Sequence, residues 1–227
     1  MKKNLIIFSI FAAICTAFGQ GFVDFRNNTG QNISTNNTVD IYGNSTALTG
    51  SGLTFGNAIA PQGYYYVLLM QPYSGGPTNN PTASTLLSSG WLFTGSGATN
   101  VVNPGRLGGG QTNLTSLNDP IGSGNQFVVI GWSSNVATNG LAGWLTVSNE
   151  LSLGVWTTLN SSTGYLGISQ VGTGVGSGNN LSPELLFGGA SGILSGWNLD
   201  VVPTPEPGTL ALAGLGGFSL WLFRRRK

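Results

Sequence analysis

The chain has 227 residues, of which only 7% are charged, with 37 Gly, one Cys and no His; an average soluble domain carries about 25% charged residues. Six of the eight basic residues sit at the two ends (Lys2, Lys3, Arg224, Arg225, Arg226 and Lys227), so Arg26 and Arg106 alone face seven acids in between, a net −5. Those numbers exclude a nucleic-acid binder, which needs Lys and Arg to displace counterions from phosphates; with Cys15 as the lone Cys, they also exclude a disulfide framework, a Cys/His zinc site and Ser–His or Cys–His nucleophile pairs.

The first twenty residues, MKKNLIIFSIFAAICTAFGQ, run from a basic start through an apolar stretch, Leu5 to Phe18, to the small residues Ala17 and Gly19. This is the layout of a secretory signal peptide. It is predicted over residues 1–19, with the body beginning at Gln20 and a cut after Ala17 as the second option. The apolar stretch is shorter than the ~20 residues that a retained span needs.

Residues 20–200 read as one exported domain. Short apolar or aromatic runs alternate with Gly, Asn, Ser and Thr clusters, and no long segment of 3.6-residue period stands out. The predicted strands, in chain order, are GFVDFR (21–26), TVDIYG (38–43), GYYYVLLM (63–70), SGWLFT (89–94), QFVVIGW (126–132), GWLTV (143–147), GVWTTL (154–159), GYLGISQV (164–171) and ILSGWNLDVV (193–202). The stretches NNTGQNISTNN (27–37), SGGPTNNPTAS (74–84) and VGTGVGSGNN (171–180) read as loops. Many short strands between turn residues point to an all-β fold, a single β-sandwich or jelly-roll-like domain.

The last segment, residues 201–227, closes on PEPGTLALAGLGGFSLWLFRRRK. Gly208 to Phe223 carries no charge over 16 residues. As a helix it reaches about 24 Å at 1.5 Å per residue, somewhat short of a hydrocarbon core of ~30 Å, a gap that local thinning closes. Arg224, Arg225, Arg226 and Lys227 then act as a membrane stop on the cytoplasmic side, and Lys2 and Lys3 place the other end there too. Pro205 and Pro207 oppose backward extension of the helix and leave an extended peptide around Glu206.

The ordered triple of Pro205-Glu206-Pro207, an apolar helix (208–223) and a terminal basic cluster (224–227) resembles the sorting signal of PEP-CTERM proteins, a tail also labelled an ice-binding protein C-terminal domain. The resemblance implies recognition and cutting near the motif by an exosortase, a transpeptidase-like membrane protease. It also implies delivery to the cell envelope or extracellular matrix, after passage through the Sec machinery and signal peptidase and a stay in the lipid bilayer of the inner membrane. The body, with GQGFVDFRNN, YYYVLLM and QFVVIGWSSN, loosely resembles small exported PEP-CTERM proteins of the Verrucomicrobia type, which assigns no activity.

Few residues of the body suggest chemistry. VGTGVGSG lacks both nucleotide-loop spacing and a following Lys, and is a flexible loop on this reading. Paired carboxylates, the basis of glycoside hydrolysis, would have to come from Asp24, Asp40, Asp119, Glu150, Glu184 and Asp200; these are scattered, and read as solvated groups. The expectation is no catalytic residue, no metal and no cofactor. The aromatic residues allow two readings: packing in the core, or a glycan-stacking platform, for which Trp132, Trp144 and Tyr65 are the candidates. In YYYV, Tyr64 and Tyr66 share one face of a strand and Tyr65 takes the other, so at least one aromatic face is expected to be exposed. Sequons at Asn27, Asn32, Asn36, Asn44, Asn113, Asn160 and Asn180 follow from the composition, and no regular T-x-T ladder supports ice binding. The expected function is a non-enzymatic surface or matrix protein with extracellular polysaccharide as a further partner; the alternative is a carbohydrate-binding module.

Overall fold

The computed structural model describes residues 22–27, 31–43, 63–73, 75–103, 105–113, 124–154, 156, 159, 163–175, 183–188, 192–193 and 195–203, and among these residues ten strands and one α-helix follow one another. They are β1 (Phe22–Arg26), β2 (Ser34–Asp40), β3 (Tyr64–Pro72), β4 (Leu92–Thr99), β5 (Gly108–Asn113), β6 (Gly124–Ser133), α1 (Gly140–Leu153), β7 (Gly164–Ile168), β8 (Gly172–Val175), β9 (Glu184–Leu185) and β10 (Asn198–Val202). The signal peptide expected over 1–19 and the apolar run 208–223 lie outside the described residues.

Among the described residues, two long apolar runs pair with each other. β3 and β6 are antiparallel in unbroken register from Tyr64↔Ser133 to Pro72↔Asn125. They form the centre of a seven-stranded sheet ordered β2-β10-β7-β6-β3-β4, with β8 pairing β6 off that path. Neither run alternates polar with apolar residues, because both faces of the sheet are covered. Tyr66, Leu68, Met70, Phe127 and Val129 point into one core cluster, shared with Val23 and Phe25 of β1. Val67, Leu69, Val128, Ile130 and Trp132 point into the other, shared with Trp144, Val147 and Leu151 of α1. A three-stranded sheet, β5-β1-β9, covers the first face.

The fold is therefore β-rich, as expected, with two departures from a plain sandwich. The pairs β10–β2 and β1–β9 are parallel, whereas a jelly roll is antiparallel. A helix also forms a third layer.

That helix corrects the strand predicted at GWLTV (143–147). Asn139 accepts the Gly140 N–H at the N-cap, and Gly154 ends the helix in left-handed conformation at φ 64°, the usual start and stop residues. Trp144, Val147 and Leu151 follow at helical spacing and are buried, each contributing about 1.5–3 kcal/mol by burial. Helix α1 docks on the turn that precedes it. The Trp132 indole N–H lies 3.2 Å from both the Ala137 and the Thr138 carbonyl oxygens. A Cβ at Gly143 would fall 1.7 Å from the Thr138 oxygen, so only Gly fits that contact.

Other boundaries also moved. Within GVWTTL, Gly154 is a turn, Trp156 irregular and Leu159 part of a 3-10 turn. β2 begins at Ser34, inside a stretch read as loop, and β8 occupies the start of the Gly-rich segment 171–180. β5, sequence GGGQTN, is a strand because β1 pairs with it from Phe22↔Asn113 to Arg26↔Gly108, with a register shift at Phe25/Arg26.

Candidate functional site

Strand β1, FVDFR, alternates. Val23 and Phe25 are fully buried against the seven-stranded sheet, so Asp24 and Arg26 point to the outward face of the three-stranded sheet. There the carboxylate of Asp24, itself 5% exposed, accepts two hydrogen bonds from the Arg26 guanidinium, at 2.8 Å from Nε and 2.5 Å from Nη2. That pairing raises the Arg26 pKa, first through the hydrogen bond and then through the charge of Asp24.

Asn27, next along the chain, is a clamp. Its Nδ2 donates to the Gln31 carbonyl at 2.6 Å and the Gly105 carbonyl at 3.0 Å, and its Oδ1 accepts from the Leu107 N–H at 2.8 Å. The Ile33 N–H also donates to the Gly105 carbonyl at 2.8 Å. Gly105 sits at φ 66°, and a Cβ there would come within 2.8 Å of Asn32 Cβ. The turn between β4 and β5 is thereby pinned against the segment that leaves β1. A cleft of about 320 Å³ opens along this seam, lined by Asp24, Arg26 and Asn27 on one side, Asn103, Arg106 and Leu107 on the other, and Leu185 from β9 among its apolar walls. The sequence marked Arg26 and Arg106 as the only cations of the body; their convergence was not foreseen.

The other described acids sit on other elements. Asp40 and Asp200 lie on neighbouring strands β2 and β10, with Val201 opposite Asp40 in the register. Burial raises the Asp200 pKa, the hydrogen bond from Asn36 opposes the rise, and the charge of Asp40 adds to it. Glu150 is buried on α1, and Glu184 is in β9. Asp119 and Glu206 lie outside the described residues. Among the described residues, no group of three or more His, Cys, Asp or Glu is placed to hold a metal.

Of the two readings of the aromatic residues, Trp132 and Trp144 follow the one that packs them in the core. Trp132 is 0% exposed and Trp144 8%, so neither presents a ring face on which a sugar could stack. Both fill the core between the large sheet and α1, as apolar runs covered on both faces require. Tyr65 is half-buried against that same cluster. Tyr64 and Tyr66 belong to the opposite side, where burial pushes the Tyr64 phenol up to about 12 and raises that of Tyr66 further. Tyr66 donates to Asn100 Oδ1 at 3.1 Å and meets Trp197 edge-on at 6.5 Å. Tyr66 is thus fully buried, while Tyr64 on its face and Tyr65 on the other each keep part of their surface exposed.

The body runs through β10 to Val202, which is fully buried, and β10 is an interior strand between β2 and β7. Pro205, Glu206, Pro207 and the basic stop Arg224, Arg225, Arg226 and Lys227 lie outside the described residues. Among the described residues, no helix is long and apolar enough to cross a membrane.

The PEP-CTERM protein-sorting motif matches residues 203–227. It marks an exported protein that an exosortase sorts to the cell envelope. The match starts at the residue after Val202, the last residue of β10. It does not reach the body, and neither the ice-binding label nor a Verrucomicrobia-like character finds support in it. No curated protein and no solved structure matches the chain.

Proposed function

We propose that this chain is a non-enzymatic component of the cell envelope or extracellular matrix, exported through a cleaved signal peptide at 1–19 and held in the inner membrane by residues 208–223 until an exosortase acts at Pro205-Glu206-Pro207. The observation that carries this reading is the sorting motif matched over residues 203–227. The order of its parts supports it: the proline pair precedes the uncharged run, and the cationic stop Arg224–Lys227 follows it.

The junction sets a distance. Residues 203–207 alone separate β10 from the uncharged run at Gly208. Fully extended, they span about 18 Å at 3.6 Å per residue. The protease therefore works within that distance of both the bilayer and the end of β10.

Mass spectrometry of the surface-located protein from its native host tests the reading. The expected C-terminus falls between Pro205 and Gly208. Surface protein that retains Lys227 would overturn the processing step, and a reporter placed ahead of Pro205 that remains in the cytosol would overturn export.

A further inference from the structure

The only two cations between Lys3 and Arg224 come from distant parts of the chain and line one cleft. From Gln20 to Val202 six acids face these two arginines, a net −4, and this cleft is the place where an anion meets positive charge. The site is built as well as charged. Asp24 orients Arg26 through a two-pronged hydrogen bond, which uses two of the five guanidinium N–H groups, while the Arg26 side chain stays 59% exposed. Asn27 and Gly105 fix the turn that carries Arg106. Among the described residues, both guanidinium groups and the Asp24 carboxylate line this one cleft.

The rest of the lining narrows the ligand. Asn103 offers an amide that can donate and accept, as sugar hydroxyls require. Val101, Leu107 and Leu185 give an apolar wall of the kind that the C–H face of a pyranose ring covers. A volume of about 320 Å³ suits one or two sugar rings. We propose that this cleft binds an acidic saccharide, with the carboxylate of a uronic acid held by Arg106 and Arg26, the ring laid on Val101, Leu107 and Leu185, and Asn103 at its hydroxyls. Guanidinium groups suit a carboxylate because their fork matches its two oxygens. The inference goes beyond the sorting route and does not depend on it, so its failure leaves the processing experiment untouched.

Calorimetric titration of the full-length protein in detergent tests it, with tetragalacturonate, monomeric galacturonate and the neutral cellotetraose as probes. The tetramer is expected to bind and cellotetraose not to bind, with affinity falling as salt is added. Monomer binding close to that of the tetramer supports a subsite for a single sugar acid; binding that needs the tetramer supports a polymer chain. Arg106→Gln should weaken binding roughly tenfold or more, the worth of a hydrogen bond to a charged group. Asn103→Asp, isosteric and on an exposed residue, keeps the test decisive should the first variant misfold: its added negative charge should also weaken binding. The proposal is overturned by equal binding of the acidic and neutral tetramers, by no binding of either acid, or by unchanged affinity in both variants with native near-ultraviolet circular dichroism.

Discussion

The two sheets of this protein solve different problems. The seven-stranded sheet is covered on both faces, so β3 and β6 carry apolar side chains at consecutive positions and no charge between Tyr64 and Gln71 or between Gln126 and Ser133. Among the described residues, the three-stranded sheet is packed against the large sheet on one face. Its central strand β1 alternates, with Val23 and Phe25 inward and Asp24 and Arg26 outward. The comparison teaches where each kind of function can sit. A sheet buried twice is all core, and its aromatics belong to stability; a sheet buried once has a face left for chemistry, and the charged cleft is there.

The comparison breaks most visibly at Trp132. Truncation to Ala should cost about 3–5 kcal/mol, as for other buried aromatic residues, and frees the Ala137 and Thr138 carbonyls that the indole N–H holds. Urea unfolding of the full-length protein in detergent reads the loss. A variant of native stability would remove Trp132 from the core and restore it as a candidate for ligand stacking. Gly143→Ala comes next, at about 3 kcal/mol, the upper range for overpacking, because the methyl would meet the Thr138 backbone oxygen. Its cost tests the docking of α1 on the large sheet, the feature that separates this fold from a two-layer sandwich.

The same contrast decides what the sequence could disclose. β1, β3, β6, β7 and β10 are legible because their side chains carry the burial signal, by alternation in β1 and by unbroken apolar runs in β3 and β6. β5 and β8 are built largely of Gly, Thr, Gln and Asn. They are strands because β1 and β6 offer them edges to pair with, which no local pattern announces. α1 was misread because Trp144-Leu145-Thr146-Val147 looks like a strand in isolation, although Asn139 and Gly154 bracket a helix. The site divides in the same way. The sorting motif is linear and fully legible, since proline pair, apolar run and basic stop lie in one stretch. The cleft was half legible: the scarcity of cations is a property of composition, but their meeting depends on Asn27 reaching across to Gly105 and Leu107.

On the small sheet the effects shrink. Asp24→Asn keeps one acceptor for Arg26 and loses the charge, so about 1 kcal/mol is expected, the exposed Arg26 end being screened by water. Urea unfolding at low and high salt checks it: the difference from the parent should narrow as salt rises. A loss as large as that of Trp132→Ala would mean that the outward face of the three-stranded sheet is as much a part of the core as the large sheet.

Asp200 of the large sheet gives the smallest effect, and its sign is fixed. Burial raises its carboxyl pKa above the ordinary 3.8, over the opposing hydrogen bond from Asn36. The folded chain therefore holds that proton more tightly than the unfolded chain. The stabilisation is complete below 3.8 and is lost as pH rises through the higher folded value. Asp200→Asn abolishes the titration and keeps an Oδ1 to accept the 3.0 Å bond from Asn36. The variant should then match the parent at the acid end and exceed it toward neutral pH. The gain amounts to a few tenths of a kcal/mol, because a half-buried carboxylate is still screened. Paired urea curves across that range read the difference. A gain that grows toward acid instead would mean that the carboxylate, not its protonated form, is what β2 and β10 stabilise, and that Asn36 outweighs burial.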